Sequence, residues 1–316
     1  MLLPVQLSVI VPVHNHLALT QAMLASLQTT LPAGLEHEII LVDNGSTDGS
    51  GDWLKEISGT PIRPIRHESN LGYAVANNRA AAQAEGEFVA LLNNDIILLP
   101  GWFEPMLEVA LRPGVGIVGN IHLAVRSREV YHAGVFFDPA GRPFHFQPPR
   151  DRLEGITTIE SPAVTGACLL LRRALFTKLG GFDESYVNGY EDIDLCLRAL
   201  RQGHRSAVAS RSVIYHYIGA SDGRYRREDA NAALFEARCG QIAREVARIE
   251  PPWLGPESEK TQRRELAVAR DAYATLQVFH PGPGGHSEEH STAHLYPTGR
   301  WTNVTVPLPY GVARAG

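Results

Sequence analysis

The strongest constraint on this chain is the alternation of buried-strand and helix signals across its first 120 residues. Leu7-Ser8-Val9-Ile10-Val11 is a short apolar run stopped by Pro12 and reads as a buried strand. Leu17 to Thr29 carries Leu17, Leu24 and Leu27 at helical spacing. Glu38 to Val42 is a second strand, closed by the turn cluster Asp43-Asn44-Gly45-Ser46-Thr47-Asp48-Gly49. Trp53, Leu54 and Ile57 suit a short helix. Ile62 to Ile65 reads as a third strand, Tyr73 to Ala84 as an alanine-rich helix and Phe88 to Leu92 as a fourth strand. Strands that alternate with helices predict right-handed crossovers and a largely parallel sheet. Ligands on such α/β sheets bind beyond the carboxyl ends of the strands. Asp43 and Asn93-Asn94-Asp95 fall at two of those ends.

The middle of the chain is less regular. Val130 to Phe137 and Thr165 to Leu171 read as strands, Glu191 to Arg201 as a helix, Val213 to His216 as a last strand and Arg226 to Arg248 as a mixed-charge helix. Pro251-Pro252-Trp253 marks a boundary, and Glu257 to Leu276 suits one more helix. From His280 onward Gly, Pro, Ser and His predict a tail that is poorly ordered or irregularly docked. His286, His290 and His294 would align on a helix and could bind a metal, but the glycines just before them favour a solvated tail.

Composition removes several classes of function. Twenty-nine basic residues against 34 acidic ones give a net charge of −5, which does not support a nucleic-acid binder with a broad basic face. No apolar run approaches the roughly 20 residues that span a bilayer. The opening Met1-Leu2-Leu3-Pro4-Val5-Gln6 lacks a basic segment, so a secretory signal is not expected and a cytoplasmic location is. On that reading the Asn303-Val304-Thr305 sequon carries no meaning. Cys168, Cys196 and Cys239 are too few and too scattered for a disulfide framework and suit three buried thiols.

Four clusters carry chemistry. The first pairs Pro12-Val13-His14-Asn15 with Asp43: a carboxylate at a strand end can accept from a base edge or ribose, or satisfy its own turn. The second is Asn70-Leu71-Gly72-Tyr73, where a glycine before a helix lets backbone approach a phosphate, or simply makes a turn. The third is Asn93-Asn94-Asp95, in which Asp95 is either a hard-metal ligand completed by diphosphate oxygens or a cap for a helix near Gly101. The fourth joins Gly180-Gly181-Phe182-Asp183-Glu184, Glu191-Asp192-Ile193-Asp194 and His216. Three carboxylates in one helical turn exceed what the helix dipole asks for, about 0.3–1 kcal/mol each. Asp194 reads as structural, while Glu191 and Asp192 suit general-base chemistry. His216 is either structural or positioned to turn its imidazole toward a metal.

The stretches VIVPVHN, VDNGSTDGS, NLGYAVANN, LLNNDIILLPGW, TGACLLLRRALFTKLGGFDE, EDIDLCLR and YHYIGAS together resemble inverting family 2 glycosyltransferases, nearest the rhamnosyltransferase-like and O-antigen-type bacterial members. The resemblance runs from residue 7 to about 221. It implies a GT-A fold: an α/β, Rossmann-like, mostly parallel sheet flanked by helices, with C-terminal helices and an irregular tail. Residues 1–250 would form the glycosyltransferase domain, its nucleotide-binding half about 1–120 and its acceptor half about 121–225. Residues 251–316 would be a helical extension and tail.

The resemblance further implies hexosyl transfer from a nucleoside-diphosphate-sugar to a glycan or lipid-linked acceptor in bacterial surface polysaccharide synthesis. Pro12, Val13, His14, Asn15 and Asp43 would line the nucleoside pocket, with Asn70, Gly72, Asn93 and Asn94 shaping the donor site. Asp95 would bind a divalent cation, Mn²⁺ or Mg²⁺, with His216 as a further ligand. Asp192 would be the catalytic base, with Glu191 beside it. Asn93 stands where the family motif has its first aspartate, which lowers the charge available to the cation. That departure is the one support for the competing reading, a catalytically degenerate sugar-nucleotide-binding protein. A nucleotidyltransferase would need a glycine-rich basic loop near the first strand, and Pro12-Val13-His14-Asn15 is not one. Acceptor choice is expected between Arg126 and Pro162, including His132, Phe137 and His145. Lipid-linked acceptors leave room for peripheral contact with the inner membrane face, and Arg224, Arg226 and Arg227 form a local basic patch or a solvated helix face.

Overall fold

The computed structural model describes residues 7–59, 61–218, 227–249 and 251, and the backbone of 274–281 and 287–295. Strands β1 (Leu7–Val13), β2 (His37–Asn44), β3 (Ile62–His67) and β4 (Phe88–Leu92) alternate with helices α1 (Leu17–Thr30), α2 (Ser50–Glu56) and α3 (Tyr73–Ala81). After them come β5 (Ile96–Leu98), α4 (Phe103–Ala110), β6 (Val115–Ala124), β7 (Val130–His132), β8 (Val135–Phe137), β9 (Pro143–His145) and β10 (Thr158–Glu160). The chain continues through β11 (Cys168–Arg172), α5 (Arg173–Lys178), α6 (Glu191–Arg201), β12 (Arg205–His216) and α7 (Glu228–Val246).

One ten-stranded sheet has the order β10-β12-β6-β11-β4-β1-β2-β3, with β5 on β12 and β7 on β6. Strands β4, β1, β2 and β3 run parallel, as do β6 and β12, while β11 is antiparallel to β4 and β6. The segment entering β11 therefore lies at the edge where β4 ends, and Asn93 N donates to Ala167 O there.

Side chains that alternate along the strands build a core on each face of the sheet. Ile10, Ile40, Val42, Val89 and Leu91 meet Ala74, Ala76 and Ala80 of α3 and Leu195 and Ala199 of α6. Val9, Val11, Ile39, Leu41 and Leu92 meet Met23 and Leu27 of α1 and Phe103 and Met106 of α4. A smaller cluster joins Phe137, Tyr186 and Leu197 to Phe235, Cys239 and Ile242 of α7. All three cysteines are free and buried.

Several elements differ from their sequence expectation. Strand β1 continues through Pro12 to Val13, because its pairing with β4 ends at Ile10 and beyond that point only β2 flanks it. The single strand expected over 130–137 is split at Gly134, whose φ is 115°, sending β7 to the main sheet and β8 to a hairpin with β9. Ten-residue β6 was not anticipated, and β12 begins at Arg205 rather than Val213. In the C-terminal region the expected helix over 257–276 lies outside the described residues up to 273. Its last residues belong to β13 (Ala274–Pro281), which pairs with β14 (Ser287–Leu295) as an antiparallel hairpin. The irregular tail expected from His280 is therefore strand at His280–Pro281 and Ser287–Leu295. His290 and His294 sit in β14, so no helix aligns them, and His286 lies outside the described residues. Among the described residues no helix is long and apolar enough to cross a membrane.

Candidate active site

A cleft of about 640 Å³ opens at the carboxyl ends of the parallel strands. Its wall contains Pro12, Val13, His14, Asn15, Asn70, Asn93 and Asn94, and Glu191, Asp192 and His216 line it as well. Asp43, Gly72 and Asp95 lie behind that lining.

The loops after β1 and β2 are interlocked. Asn15 N donates to Ser46 Oγ at 2.9 Å, Thr47 N donates to Asn15 Oδ1 at 2.7 Å, and Leu17 N donates to Asp48 Oδ2 at 2.9 Å. The same Asp48 accepts from Ser50 N and Oγ, so one carboxylate serves the starts of both α1 and α2. Asn15 and His16 pay for this with left-handed backbone, φ 59° and 60°. Asn44 ties the end of β2 to the next turn. Its amide donates to Asn70 Oδ1 and Gly72 O, and its oxygen accepts from Leu71 N. Asn70 and Gly72 are thus held as one loop, with Gly72 at φ 86°. Asn94 donates to Asn15 O and Thr20 Oγ1, which fixes the β4 end against α1.

Asp43 makes the turn hydrogen bond expected of it, accepting from Ser46 N at 2.9 Å. Its other oxygen, Oδ2, is buried without a hydrogen bond, 3.6 Å from Arg66 Nε. A Cβ at Gly51 would stand 2.4 Å from that oxygen, so only glycine leaves it uncrowded.

Asp95 caps no helix: α4 begins at Phe103, eight residues on, with Trp102 as its N-cap residue. Asp95 sits in the turn into β5, 6% exposed, and Oδ1 is buried without a hydrogen bond. His216 Nε2 lies 3.3 Å from it, at the end of β12, and Tyr217 N donates to Asp95 O. Behind His216 stand His122 and His132, both fully buried; burial, then the neighbouring histidines, holds their pKa values well below the usual histidine range.

Asp192 stands in the first turn of α6. Its Oδ2 accepts from Gly166 N at 2.7 Å and its Oδ1 from Ile193 N at 2.8 Å. Glu191 is buried and accepts from Gly189 N at 2.6 Å. Tyr190 at φ 73° and Asn188 at φ 53° make the sharp entry to the helix. Asn231 of α7 clasps Val187 through both N–H and C=O, and Tyr73 N donates to Asn188 Oδ1. The Tyr73 hydroxyl donates to Gly166 O at 2.6 Å, and burial, reinforced by Glu191 and Asp192, pushes its pKa well above the usual tyrosine range.

Asp194 is structural, paired with Arg198 Nε at 2.6 Å and accepting from Cys239 Sγ. Arg198 also donates to Leu179 O and Gly181 O, and Asn78 exchanges two hydrogen bonds with Phe182. The Gly180-Gly181-Phe182 segment therefore anchors α6 to α3 and lies outside the cleft lining.

Residues that the sequence did not single out complete the cleft: Tyr131, Phe144, Thr165, Asn188, Glu228 and Asn231, joined by Tyr73 of the second sequence cluster and by Tyr190, the residue before Glu191. The Asn188-Gly189-Tyr190 turn directly before Glu191 was the one readable signal among them. His145 lines the cleft, whereas His132 and Phe137 are buried behind it. Arg227 is the residue preceding α7; Arg224 and Arg226, with Gly219 and Ser221, lie outside the described residues.

A mixed, mostly parallel sheet flanked by helices, with its cleft at the strand ends, defines the GT-A class of fold. Residues 8–180 match the family described as Glycosyl transferase family 2, and the chain belongs to that family. It is 35% identical over 274 residues to the O-antigen biosynthesis protein RfbC of Myxococcus xanthus, spanning 83% of this chain and 20% of that protein. It is 31% identical over 212 residues to an N-acetylglucosaminyl-diphospho-decaprenol L-rhamnosyltransferase of Mycobacterium tuberculosis, spanning 59% of this chain and 68% of that one. Among solved structures, GalNAc-T7 with UDP, GalNAc and Mn²⁺ superposes with a TM-score of 0.57 at 18% identity, over 74% of this chain and 50% of that one.

Proposed function

We propose that this chain is an inverting glycosyltransferase that moves a sugar from a nucleoside-diphosphate-sugar to a hydroxyl of a glycan or lipid-linked acceptor in bacterial surface polysaccharide synthesis. The observation that carries the reading is the convergence of Asp192 and His216, with Asp95 beside His216, on the cleft lined by Pro12 to Asn15, Asn70, Asn93 and Asn94. The mycobacterial relative's name specifies a decaprenol-linked substrate, which supports a lipid-linked acceptor and a peripheral position at the inner membrane face.

On this reading Asp43, just behind the lining, reads the base, and the interlocked loops that carry Asn15, Asn44, Asn70 and Gly72 hold the nucleoside. The donor set fits a hard divalent cation: a buried carboxylate oxygen lacks a hydrogen bond and faces an imidazole nitrogen. Among the described residues no cluster of three such ligands exists, which suits an ion that keeps waters and takes phosphate oxygens as its remaining ligands. Asp95 and His216 would hold Mg²⁺ or Mn²⁺, whose charge offsets that developing on the leaving diphosphate. Asp192 retains two of its four lone-pair sites after its backbone bonds. One of them takes the proton from the acceptor hydroxyl as that oxygen bonds the anomeric carbon and the bond to the diphosphate breaks. A single displacement inverts the anomeric centre. Tyr131, Phe144 and His145, with Phe144 42% exposed, form an aromatic wall suited to the acceptor sugar.

The test is a thermal-shift panel of UDP, GDP, dTDP and CMP, each with and without Mn²⁺. One diphosphate should stabilise the protein, and more strongly with Mn²⁺, by about 2.7 kcal/mol at 100 times its Kd. Absence of any shift under either condition overturns the reading.

A further inference from the structure

Four histidines stand in a row beneath the cleft: His216 of β12, His122 of β6, His132 of β7 and His145 of β9. Adjacent ring centroids lie 5.0 to 5.4 Å apart. His216 and His145 line the cleft, and the two between them are fully buried. Nitrogen meets nitrogen in this row, His216 Nδ1 to His122 Nδ1 at 3.3 Å and His132 Nδ1 to His145 Nδ1 at 2.8 Å. Such a contact is a hydrogen bond when one ring donates and the other accepts.

The direction of the His216–His122 bond decides what His216 offers to Asp95. If His122 donates from Nδ1, a neutral His216 carries its own proton on Nε2, against Asp95. If His122 accepts, the His216 proton sits on Nδ1 and Nε2 presents a lone pair. The 3.3 Å approach of Nε2 to Asp95 Oδ1 is not aligned as a hydrogen bond, since that oxygen receives none. A lone pair and a carboxylate oxygen side by side suit a shared cation. The Nε2 of His122 has no hydrogen-bond partner in its buried surroundings, so an accepting Nδ1 leaves an unpaired N–H there and a donating Nδ1 leaves an unpaired lone pair.

We propose that His122 is a positioning residue: its unprotonated Nδ1 accepts the Nδ1–H of His216 and so leaves His216 Nε2 as a lone-pair ligand beside Asp95. The inference rests on the reading of Asp95 and His216 as a divalent-cation site. It assigns His122 no contact with substrate or ion; partners of this kind fix the orientation and tautomer of ligating histidines.

Two measurements test it. In the unaltered protein without added metal, ¹⁵N histidine NMR should show His216 protonated on Nδ1 and His122 on Nε2; His216 protonated on Nε2, or His122 on Nδ1, overturns the proposal. Mn²⁺ titration followed by the EPR signal of free Mn²⁺ should show His122→Leu binding about 10–100-fold more weakly than the unaltered protein. His122→Asn, which places an amide oxygen where Nδ1 stood, should recover most of that loss. A folded His122→Leu with unaltered Mn²⁺ affinity overturns the proposal, and if that variant does not fold, the NMR result decides. His216→Ala separates the two levels. If it leaves Mn²⁺ affinity unaltered, the cation site itself is wrong, whereas a large loss there with none in His122→Leu removes only the role of His122.

Discussion

Asp192 spends one lone pair of each carboxylate oxygen on backbone, Gly166 N and Ile193 N, and both bonds come from groups the fold fixes. Gly166 is itself held by the Tyr73 hydroxyl, and a Cβ there would press to 3.3 Å on Asp192 Cβ. The carboxylate is therefore aimed by its surroundings rather than free to rotate. Asp192→Asn keeps an oxygen for one N–H and turns an amide toward the other, at a stability cost of about 1 kcal/mol. The cleft wall at Pro12 to Asn15, which we propose holds the nucleoside, is untouched by this change. We expect the diphosphate-induced thermal shift to persist while turnover falls about 10²–10⁴-fold, read as radiolabelled sugar transferred to acceptor. Full activity in Asp192→Asn would remove the base assignment. Undiminished binding with no turnover in the unaltered chain would favour the degenerate binder.

Three parallel strands are locked by one carboxylate at their amino ends. Glu38 of β2 accepts from Ser8 Oγ of β1 at 2.6 Å and Glu85 N at 2.7 Å, and pairs with Arg63 of β3 at 2.7 Å. Burial alone would raise the Glu38 pKa, but the bonds from Ser8, Glu85 and Arg63 outweigh it and hold the carboxyl below the usual range. A lowered folded-state pKa gives stability that is present above the unfolded value, near 4.5, and is lost as pH falls through the folded one. Glu38→Gln should cost about 1–2 kcal/mol in urea unfolding at pH 7, and the deficit should close as the pH drops below 4.5. A deficit unchanged at low pH would mean that packing, not charge, holds the lock. The same strands show why part of the fold was legible. Strands β1, β2 and β4 are buried on both faces and read as unbroken apolar runs. Strand β6 is equally buried, yet Gly116, Gly119, Asn120 and His122 interrupt its run. Gly119 is demanded by Val164, whose Cβ would stand 2.7 Å from an added Cβ, a tertiary fact with no local signature. Likewise β12 was read only at its apolar end, since Ser206, Ser210 and Ser212 are buried in a way only its neighbours explain. Candidate residues at or just behind the cleft on strand ends were legible from their turn clusters. Tyr131, Glu228 and Asn231 were not, because they reach the cleft from distant segments.

At the scale of the molecule, the family match ends at residue 180, but the cleft does not. Helix α6 carries Asp192, β12 carries His216, and α7 supplies Glu228 and Asn231 to the lining. Helix α7 is seated by apolar contact: Phe235 stacks on Phe137 with centroids 6.2 Å apart and planes 3° apart, and Ile242 and Val246 close the same cluster. Each such side chain contributes about 1.5–3 kcal/mol when fully buried. Asn231 then holds Val187, and through it the turn that starts α6. By contrast, β13 and β14 pair with each other and with no other described strand. The two C-terminal parts should therefore behave differently on truncation. A chain ending at residue 251 should unfold cooperatively with the Tm of the full chain and keep its diphosphate-induced shift. A chain ending at residue 218 should lose several kcal/mol, expose Phe137 and Tyr186, and lose the shift, as followed by near-UV circular dichroism and thermal melting. Loss of the diphosphate shift in the 251-residue chain would place the segment beyond Pro251 in the donor site, and retention of it in the 218-residue chain would show that α7 is dispensable to the turn that aims Asp192.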